Sequence, residues 1–156
     1  MLVADDDRDL LQLISATLQH DGHDVRTVSS GNELQDLLVK HAICHHGEAQ
    51  AERRSGSPTE GRRESRAADV LISDVRMPGC SGLEVLADLQ GRCWAPPVIV
   101  ISGALDDAVR DQAQRLGASA VLAKPLDLDT LRAAVAAVVR QRHEGDRAAR
   151  SLPRYS

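Results

Sequence analysis

Short apolar runs alternate along the chain with segments of helical periodicity. Runs of strand length cover residues 1–4, 70–73, 98–101 and 120–123, and residues 24–28 form a further short candidate. The intervals between most of these runs repeat their apolar residues at helical spacing. Strands that alternate with helices are typical of a parallel sheet with helices on both faces. The pattern therefore predicts an α/β fold with a five-stranded parallel sheet.

Local signals set the expected limits of the helices. The apolar positions of the first helix extend to Leu18, and Gly22 is expected to stop it. Ser30 with Glu33, and Ser81 with Glu84, have the spacing of capping boxes and predict the starts of two more helices. A fourth helix is predicted over about 105–116. Asp127 is expected to cap the last helix, whose apolar stripe is Leu128, Leu131, Val135 and Val138.

Two polar segments lie outside this pattern. Residues 41 to about 66 are rich in Arg and Glu and carry no recurring apolar positions. Loops longer than about 12–15 residues are either functional or disordered, and this composition favours disorder. Residues 143–156 form a second polar stretch. We therefore predict one domain over 1–142 with a disordered insert at about 41–66, then a polar C-terminal tail, and no output domain.

Composition narrows the classes of protein further. The 156 residues can bury a real core, and the net charge of −4 argues against a dedicated nucleic-acid binder. No apolar run approaches the roughly 18 residues of a membrane span, and we expect no signal peptide. The three cysteines lack paired metal-type spacing, which suits reduced thiols. A cytoplasmic location is expected.

Carboxylates end two of the predicted strands. Asp5 and Asp6 follow the first strand, and Asp74 ends the strand at 70–73. The carboxyl ends of parallel strands meet at one edge of the sheet, so these acids are expected to converge there. Close like charges raise one another's pKa, and a hard divalent cation removes that repulsion. The sequence predicts a magnesium site at this edge.

A hydroxyl and an ammonium follow the next two strands. Ser102 ends the strand at 98–101, and Lys124 follows the strand at 120–123. Together with a divalent cation these groups could hold a phosphoryl group. The competing interpretation is that such acids only cap helices, which is expected of Asp7, and that Lys124 is an ordinary surface lysine.

These residues, in this order, resemble the site of a bacterial response-regulator receiver domain of the CheY-like superfamily. The matching segments are 2–7, 70–84, 97–103 and 116–125. The resemblance implies a flavodoxin-like (βα)5 fold with strand order 2-1-3-4-5. It also implies that the site lies at the break between the first and third strands.

The resemblance assigns a role to each residue of the site. Asp74 would be the phosphoacceptor and, with Asp6 and the backbone carbonyl of Arg76, a direct ligand of Mg²⁺ (or Mn²⁺). Asp5 would hold a metal-bound water. The phosphoryl group would be contacted by two further side chains, Ser102 and Lys124.

Partners follow from the same resemblance. A sensor histidine kinase or a phosphotransfer protein would donate the phosphoryl group, and an unidentified output protein would read the result. No direct DNA binding and no membrane contact is expected, and a homodimer through the last helices is left open. The chain would be a regulatory domain of a two-component phosphorelay that catalyses its own phosphorylation and dephosphorylation.

Two other functions compete with this one. A phosphorylation-independent interaction module would keep the receiver fold alone, but degenerate members typically lose the acids or the Lys that are present here. A Mg²⁺ phosphohydrolase would need a second acid two residues after Asp74, where Arg76 stands.

The sequence departs from the family pattern at several positions. Val121 occupies the place of a common aromatic switch residue, and Ser102 replaces the commoner Thr. Activation is therefore expected to displace the loop at Ser102 and Gly103 and the helix after it. The Lys124–Pro125 bond is predicted to be cis. A cluster of His41, Cys44, His45 and His46 lacks the second ligand pair of a zinc site.

Overall fold

A computed structural model describes residues 1–40, 68–92, 94–104 and 106–151, with side chains up to Gly145. The predicted insert at about 41–66, with its histidines and Cys44, lies entirely outside these residues. The elements below are numbered in chain order within the described residues.

Five parallel strands form a single sheet in the order β2-β1-β3-β4-β5. The strands are β1 Leu2–Ala4, β2 Arg26–Val28, β3 Leu71–Asp74, β4 Val98–Ser102 and β5 Ala120–Ala123. This order confirms the predicted flavodoxin-like topology. The reversal of order between β1 and β3 opens the crevice at which such sheets bind ligands.

Helices cover both faces of the sheet. They are α1 Arg8–His20, α2 from 31 to the end of the described segment at 40, α3 Gly82–Leu89, α4 Asp107–Arg115 and α5 Leu128–Ser151. Helix α4 begins later than predicted because Asp106, as its N-cap, accepts the Val109 N–H at 2.8 Å. Helix α5 continues into the stretch predicted as a polar tail, which includes the strong helix formers Ala148 and Ala149.

Alternate residues of each strand face opposite layers of the core. One layer packs Leu71, Val98 and Val100 against α2 and α3. The other packs Ile72, Ile99 and Ile101 against α1 and α5. Strands buried on both faces must be apolar at every position, which explains their continuous apolar runs.

The capping residues begin the helices largely as predicted. Asp7 accepts the Asp9 and Leu10 N–H groups, and Asp127 accepts the Thr130 N–H at 2.8 Å. The Ser81–Glu84 capping box is complete, with both reciprocal bonds formed.

The predicted box at the start of α2 forms only in part. Ser30 Oγ accepts the Glu33 N–H at 3.2 Å as expected. The Glu33 carboxylate, however, accepts the N–H of Ser29 at 3.1 Å, one residue before the expected donor. The prediction was therefore wrong in this second bond: Glu33 reaches one residue further back.

Candidate metal and phosphoryl site

The acids at the strand ends form one cluster. Carboxylate oxygens of Asp5, Asp6 and Asp74 all lie within 4.8 Å of one another. Asp5 and Asp74 are buried, with 1% and 4% of their surface exposed, whereas Asp6 is exposed. The parallel register explains why Asp5 and Asp74 lie close together, because Ala4 pairs with Ser73 and so aligns the ends of β1 and β3. The convergence predicted from the sequence is therefore present.

Asp74 lies where its ionised form is costly. Burial raises the pKa of this carboxyl above its ordinary value, and the neighbouring charge of Asp5 adds to the rise. The Lys124 ammonium and a hydrogen bond from the Arg76 backbone N–H act in the opposite direction on the pKa without cancelling the effect of burial. Additional positive charge would therefore stabilise the ionised form of Asp74.

Lys124 reaches both buried carboxylates. Its Nζ lies 2.7 Å from Asp5 Oδ2 and 3.3 Å from Asp74 Oδ2, so the predicted ion pair with Asp74 is present. The closer partner is Asp5, which was not expected from the sequence. Burial alone would lower the pKa of the Lys124 ammonium, but Asp5 and then Asp74 hold that pKa above its ordinary value. Lys124 is therefore charged when it faces the pair.

Asp5 uses its two oxygens differently. Oδ1 accepts the Asp7 N–H at 2.9 Å, which orients the carboxylate. Oδ2 is fully buried and lies 2.7 Å from the Lys124 ammonium. A carboxylate oxygen can accept more than one hydrogen bond, so Oδ2 keeps capacity as an acceptor beside this ion pair.

The cluster fits a hard divalent cation. Three carboxylates and one ammonium would leave a net charge of −2 when all are ionised (−3 + 1). Oxygen ligands, a negative balance and the acceptor capacity of Asp5 Oδ2 match the donors that Mg²⁺ takes, with waters completing the coordination. The exposed Asp6 leaves the cluster open to solvent on one side.

Ser102 lies in the same corner of the sheet as Lys124. Ser102 pairs with Ala123 in the β4–β5 register, and its carbonyl accepts the Lys124 N–H at 2.8 Å. The Ser102 side chain is buried, and its Oγ accepts the Ala104 N–H at 3.3 Å. The backbone pairing thus carries both predicted phosphoryl contacts, and the Lys124–Pro125 bond is cis as predicted.

The segment 75–81, called the β3 loop, joins Asp74 to α3. The Val75 N–H donates to the Ile101 carbonyl, and the Gly82 N–H donates to the Val75 carbonyl. A Cβ placed on Gly82 would lie 2.2 Å from the Asp74 carbonyl oxygen, so only glycine allows this approach. The Arg76 side chain is exposed.

Val121 lies at the position of the missing aromatic. It is half-buried on β5 and packs against the core layer that includes α2 and α3. A β-branched side chain has few χ1 states, so it offers no large rotamer swing.

A comparison with known families decides what this arrangement is. The sequence profile of the family described as "Response regulator receiver domain" matches residues 1–136. The chain belongs to this family. Its cluster of Asp5, Asp6 and Asp74 is consistent with the metal site of receiver domains.

Longer proteins contain similar receiver segments. The chain is 30% identical over 144 residues to the response regulator protein PilR of Pseudomonas aeruginosa. The aligned segment covers 91% of this chain and 26% of that protein. It is 38% identical over 96 residues to the transcriptional regulatory protein FixJ of Azorhizobium caulinodans, spanning 62% of this chain and 42% of that protein. The chain thus covers less than half the length of either relative.

Solved receiver domains share the fold. The chemotaxis protein CheY4 of Vibrio cholerae superposes with a TM-score of 0.62 at 26% identity, covering 88% of this chain and 95% of that one. The beryllofluoride-activated DrrB receiver domain superposes with a TM-score of 0.66 at 22% identity, covering 89% and 95%. This receiver chain therefore has the expected fold of a regulatory domain in two-component signalling. Along its described residues, no helix is long and apolar enough to cross a bilayer.

Proposed function

We propose that this receiver domain accepts a phosphoryl group on Asp74 from a histidine kinase. The observation that carries the proposal is the position of Asp74, which is buried, within 4.8 Å of two other carboxylates and 3.3 Å from the Lys124 ammonium. Burying an ionised aspartate beside other carboxylates is costly unless cations neutralise their charge. A phosphoacceptor needs this arrangement, whereas an interaction module that uses only the fold does not.

The residues of the site divide the chemistry between them. Asp6, Asp74 and the Arg76 backbone carbonyl would hold Mg²⁺ or Mn²⁺ directly, and Asp5 would hold it through water. The bound cation supplies charge neutralisation for the phosphoryl oxygens. Lys124 would supply a second positive charge, and the Ser102 hydroxyl would supply a hydrogen-bond donor.

The transfer itself needs no general base. An ionised Asp74 oxygen attacks phosphorus, the O–P bond forms, and the P–N bond of a phosphohistidine breaks. The imidazole leaves and takes its proton from solvent, and an acyl phosphate remains on Asp74. Positioning and charge neutralisation therefore contribute most of the catalysis.

The proposal has consequences for partners. The phosphodonor is a sensor histidine kinase or a phosphotransfer protein, and an output protein contacts the surface that changes on phosphorylation. The relatives named transcriptional regulators are longer than this chain, which covers 42% or less of their length, so their names do not identify the output of this chain.

A mass measurement tests the phosphoacceptor. Acetyl phosphate with Mg²⁺ should add one phosphoryl group to the wild type and none to Asp74→Asn. Asp111→Asn is the matched control, because Asp111 is an exposed carboxylate on α4 and its loss should leave the adduct unchanged.

Beryllofluoride with Mg²⁺ provides the second arm of the test. It should bind the wild type and Asp111→Asn but not Asp74→Asn. An adduct on Asp74→Asn, or the absence of both adduct and beryllofluoride binding in the wild type, would overturn the assignment. The second of these results would favour the phosphorylation-independent interaction module.

A further inference from the structure

The start of helix α2 lies against the β3 loop at an unusually short distance. A Cβ placed on Gly31 would lie 1.8 Å from the Cys80 carbonyl oxygen and 2.7 Å from its backbone nitrogen. Non-bonded atoms pack at about 3.5–4.0 Å, so any other side chain would push the loop away. The absence of a side chain at residue 31 therefore permits this contact.

Polar and packing contacts hold the same junction. The Gly31 N–H donates to the Pro78 carbonyl at 3.0 Å. The amide of Asn32 lies against Gly79, where an added Cβ would be 2.3 Å from Asn32 Oδ1. Gly79 has a φ of +89°, which favours glycine and gives the loop its turn.

This junction completes the attachment of the β3 loop. The sheet and α3 hold the beginning of the β3 loop through the hydrogen bonds of Val75 and Gly82. Helix α2 holds the far side of the β3 loop at Pro78 and Cys80. Arg76 lies between these two attachments, two residues after Asp74, and its backbone N–H lowers the pKa of the Asp74 carboxyl. A shift of the far side of the loop would therefore move the Arg76 peptide relative to Asp74.

We propose that Gly31 and Asn32 are positioning residues that set the place of the Arg76 backbone in the cation site. Neither residue contacts the carboxylate cluster; both act through the β3 loop. The inference rests on the proposed function, in which the Arg76 carbonyl is a metal ligand. Residues that orient metal ligands typically change metal affinity by about 10–100-fold when they are replaced.

The test compares two glycines that flank the same strand. Gly31→Ala should weaken Mg²⁺ binding by about tenfold or more in a calorimetric titration. Gly22→Ala is the matched control, because Gly22 has a φ of +87° but open space around it. Gly22→Ala should lower the unfolding midpoint through backbone strain and leave the Mg²⁺ affinity within about twofold of the wild type.

Amide exchange without metal separates positioning from general instability. In Gly31→Ala, protection of the backbone amides in the β3 loop should fall, while protection in α5 stays as in the wild type. In Gly22→Ala, the β3 loop should keep its protection. Equal Mg²⁺ affinity in Gly31→Ala and the wild type would overturn the inference.

A second variant covers the outcome in which Gly31→Ala fails to fold. Asn32→Ala removes the side chain that lies against Gly79 and adds no bulk at the junction. If Asn32 is a positioning residue, Asn32→Ala should also weaken Mg²⁺ binding by about tenfold or more. A wild-type Mg²⁺ affinity in Asn32→Ala would count against the positioning role.

Asp6→Ala distinguishes failure of the inference from failure of the proposed function. A wild type that binds Mg²⁺, an Asp6→Ala that does not, and a Gly31→Ala equal to wild type would overturn the positioning role alone. A wild type that binds no Mg²⁺ would overturn the proposed function and this inference with it.

Discussion

The two loops that flank Asp74 differ in how firmly they are attached. The β3 loop buries Met77 and Cys80 and is bonded to β4, α2 and α3. The segment 103–106, called the β4 loop, has exposed residues at each of its described positions. A bond from the Ala104 N–H to Ser102 Oγ, at 3.3 Å, is a weak internal contact. Among the described residues, one side of the site is therefore held by three neighbouring elements, and the other has exposed side chains and is bonded at its end to α4.

The helices after these loops show the same difference. Helix α3 buries Val85, Leu86 and Leu89, whereas α4 buries Ala113 alone along its described length. Regions with few buried apolar contacts open at lower free-energy cost. The side that would hold the metal is therefore expected to be rigid, and the side that would contact the phosphoryl group, at Ser102, is expected to move.

The largest expected effect concerns the packing of the two helices. Leu86→Ala in α3 should lower the free energy of unfolding by about 2–5 kcal/mol, because it leaves a cavity beneath a buried helix. Val109→Ala in the half-buried face of α4 should lower it by less than about 1.5 kcal/mol. Urea denaturation measures both values, and equal losses would remove the proposed contrast between the two sides.

The next effect concerns cation binding at the fixed side. Asp6→Ala should weaken Mg²⁺ binding more than the roughly 10–100-fold typical of an outer contact, because Asp6 would be a direct ligand. Asp9→Ala is the control, since Asp9 is an exposed residue in the first turn of α1. If titration shows the same affinity for both variants, the acids at the strand end are merely solvated.

A smaller effect is expected in the pH dependence of stability. The folded-state pKa of Asp74 is raised above its unfolded value. Between these two pKa values, the folded protein therefore binds more protons than the unfolded chain. Without divalent cations, the contribution of Asp74 to stability should therefore fall as pH rises from about 3.9, the unfolded value, through the raised folded value.

Asp74→Asn should remove this contribution. The difference in unfolding free energy between variant and wild type should increase with pH across that interval and then level off. Urea denaturation in a chelating buffer measures it at each pH. A difference that does not change with pH would show that ionised Asp74 does not destabilise the folded protein. Saturating Mg²⁺ should reduce the difference in unfolding free energy.

The smallest effect is the change in amide exchange on activation. Beryllofluoride with Mg²⁺ should change protection at residues 102–110, in the β4 loop and the start of α4, while the β3 loop keeps most of its protection. Val121 offers no aromatic rotamer change, so its surroundings should respond less. Changes around Val121 without changes at 102–110 would contradict this route from phosphoryl group to surface.

Much of this domain could be predicted because its strands are buried on both faces. Residues 98–101 had to be apolar throughout, which made β4 visible as an uninterrupted run. Asp7, Ser81 and Asp127 were predictable as caps because each bonds to N–H groups within three residues. The meeting of Asp5 and Asp74 was predictable because parallel strands end at one edge.

Less could be predicted where contacts join distant parts of the chain. Lys124 was expected at Asp74, but its closer partner is Asp5. Arg132 on α5 forms two bonds to Asp21 at the end of α1, across 111 positions in sequence. The role of Gly31 had one signal, a glycine directly after the capping Ser30, but nothing in the sequence says what approaches it.

The sequence by itself determined the elements, their order and the set of charged groups at one edge of the sheet. These depend on local periodicity, on caps within one helical turn and on the rule that parallel strands share an edge. Only the tertiary structure decided which oxygen Lys124 approaches and how closely α2 meets the β3 loop. Such distances depend on packing between segments that are far apart in sequence, where a shift of one ångström exchanges one partner for another.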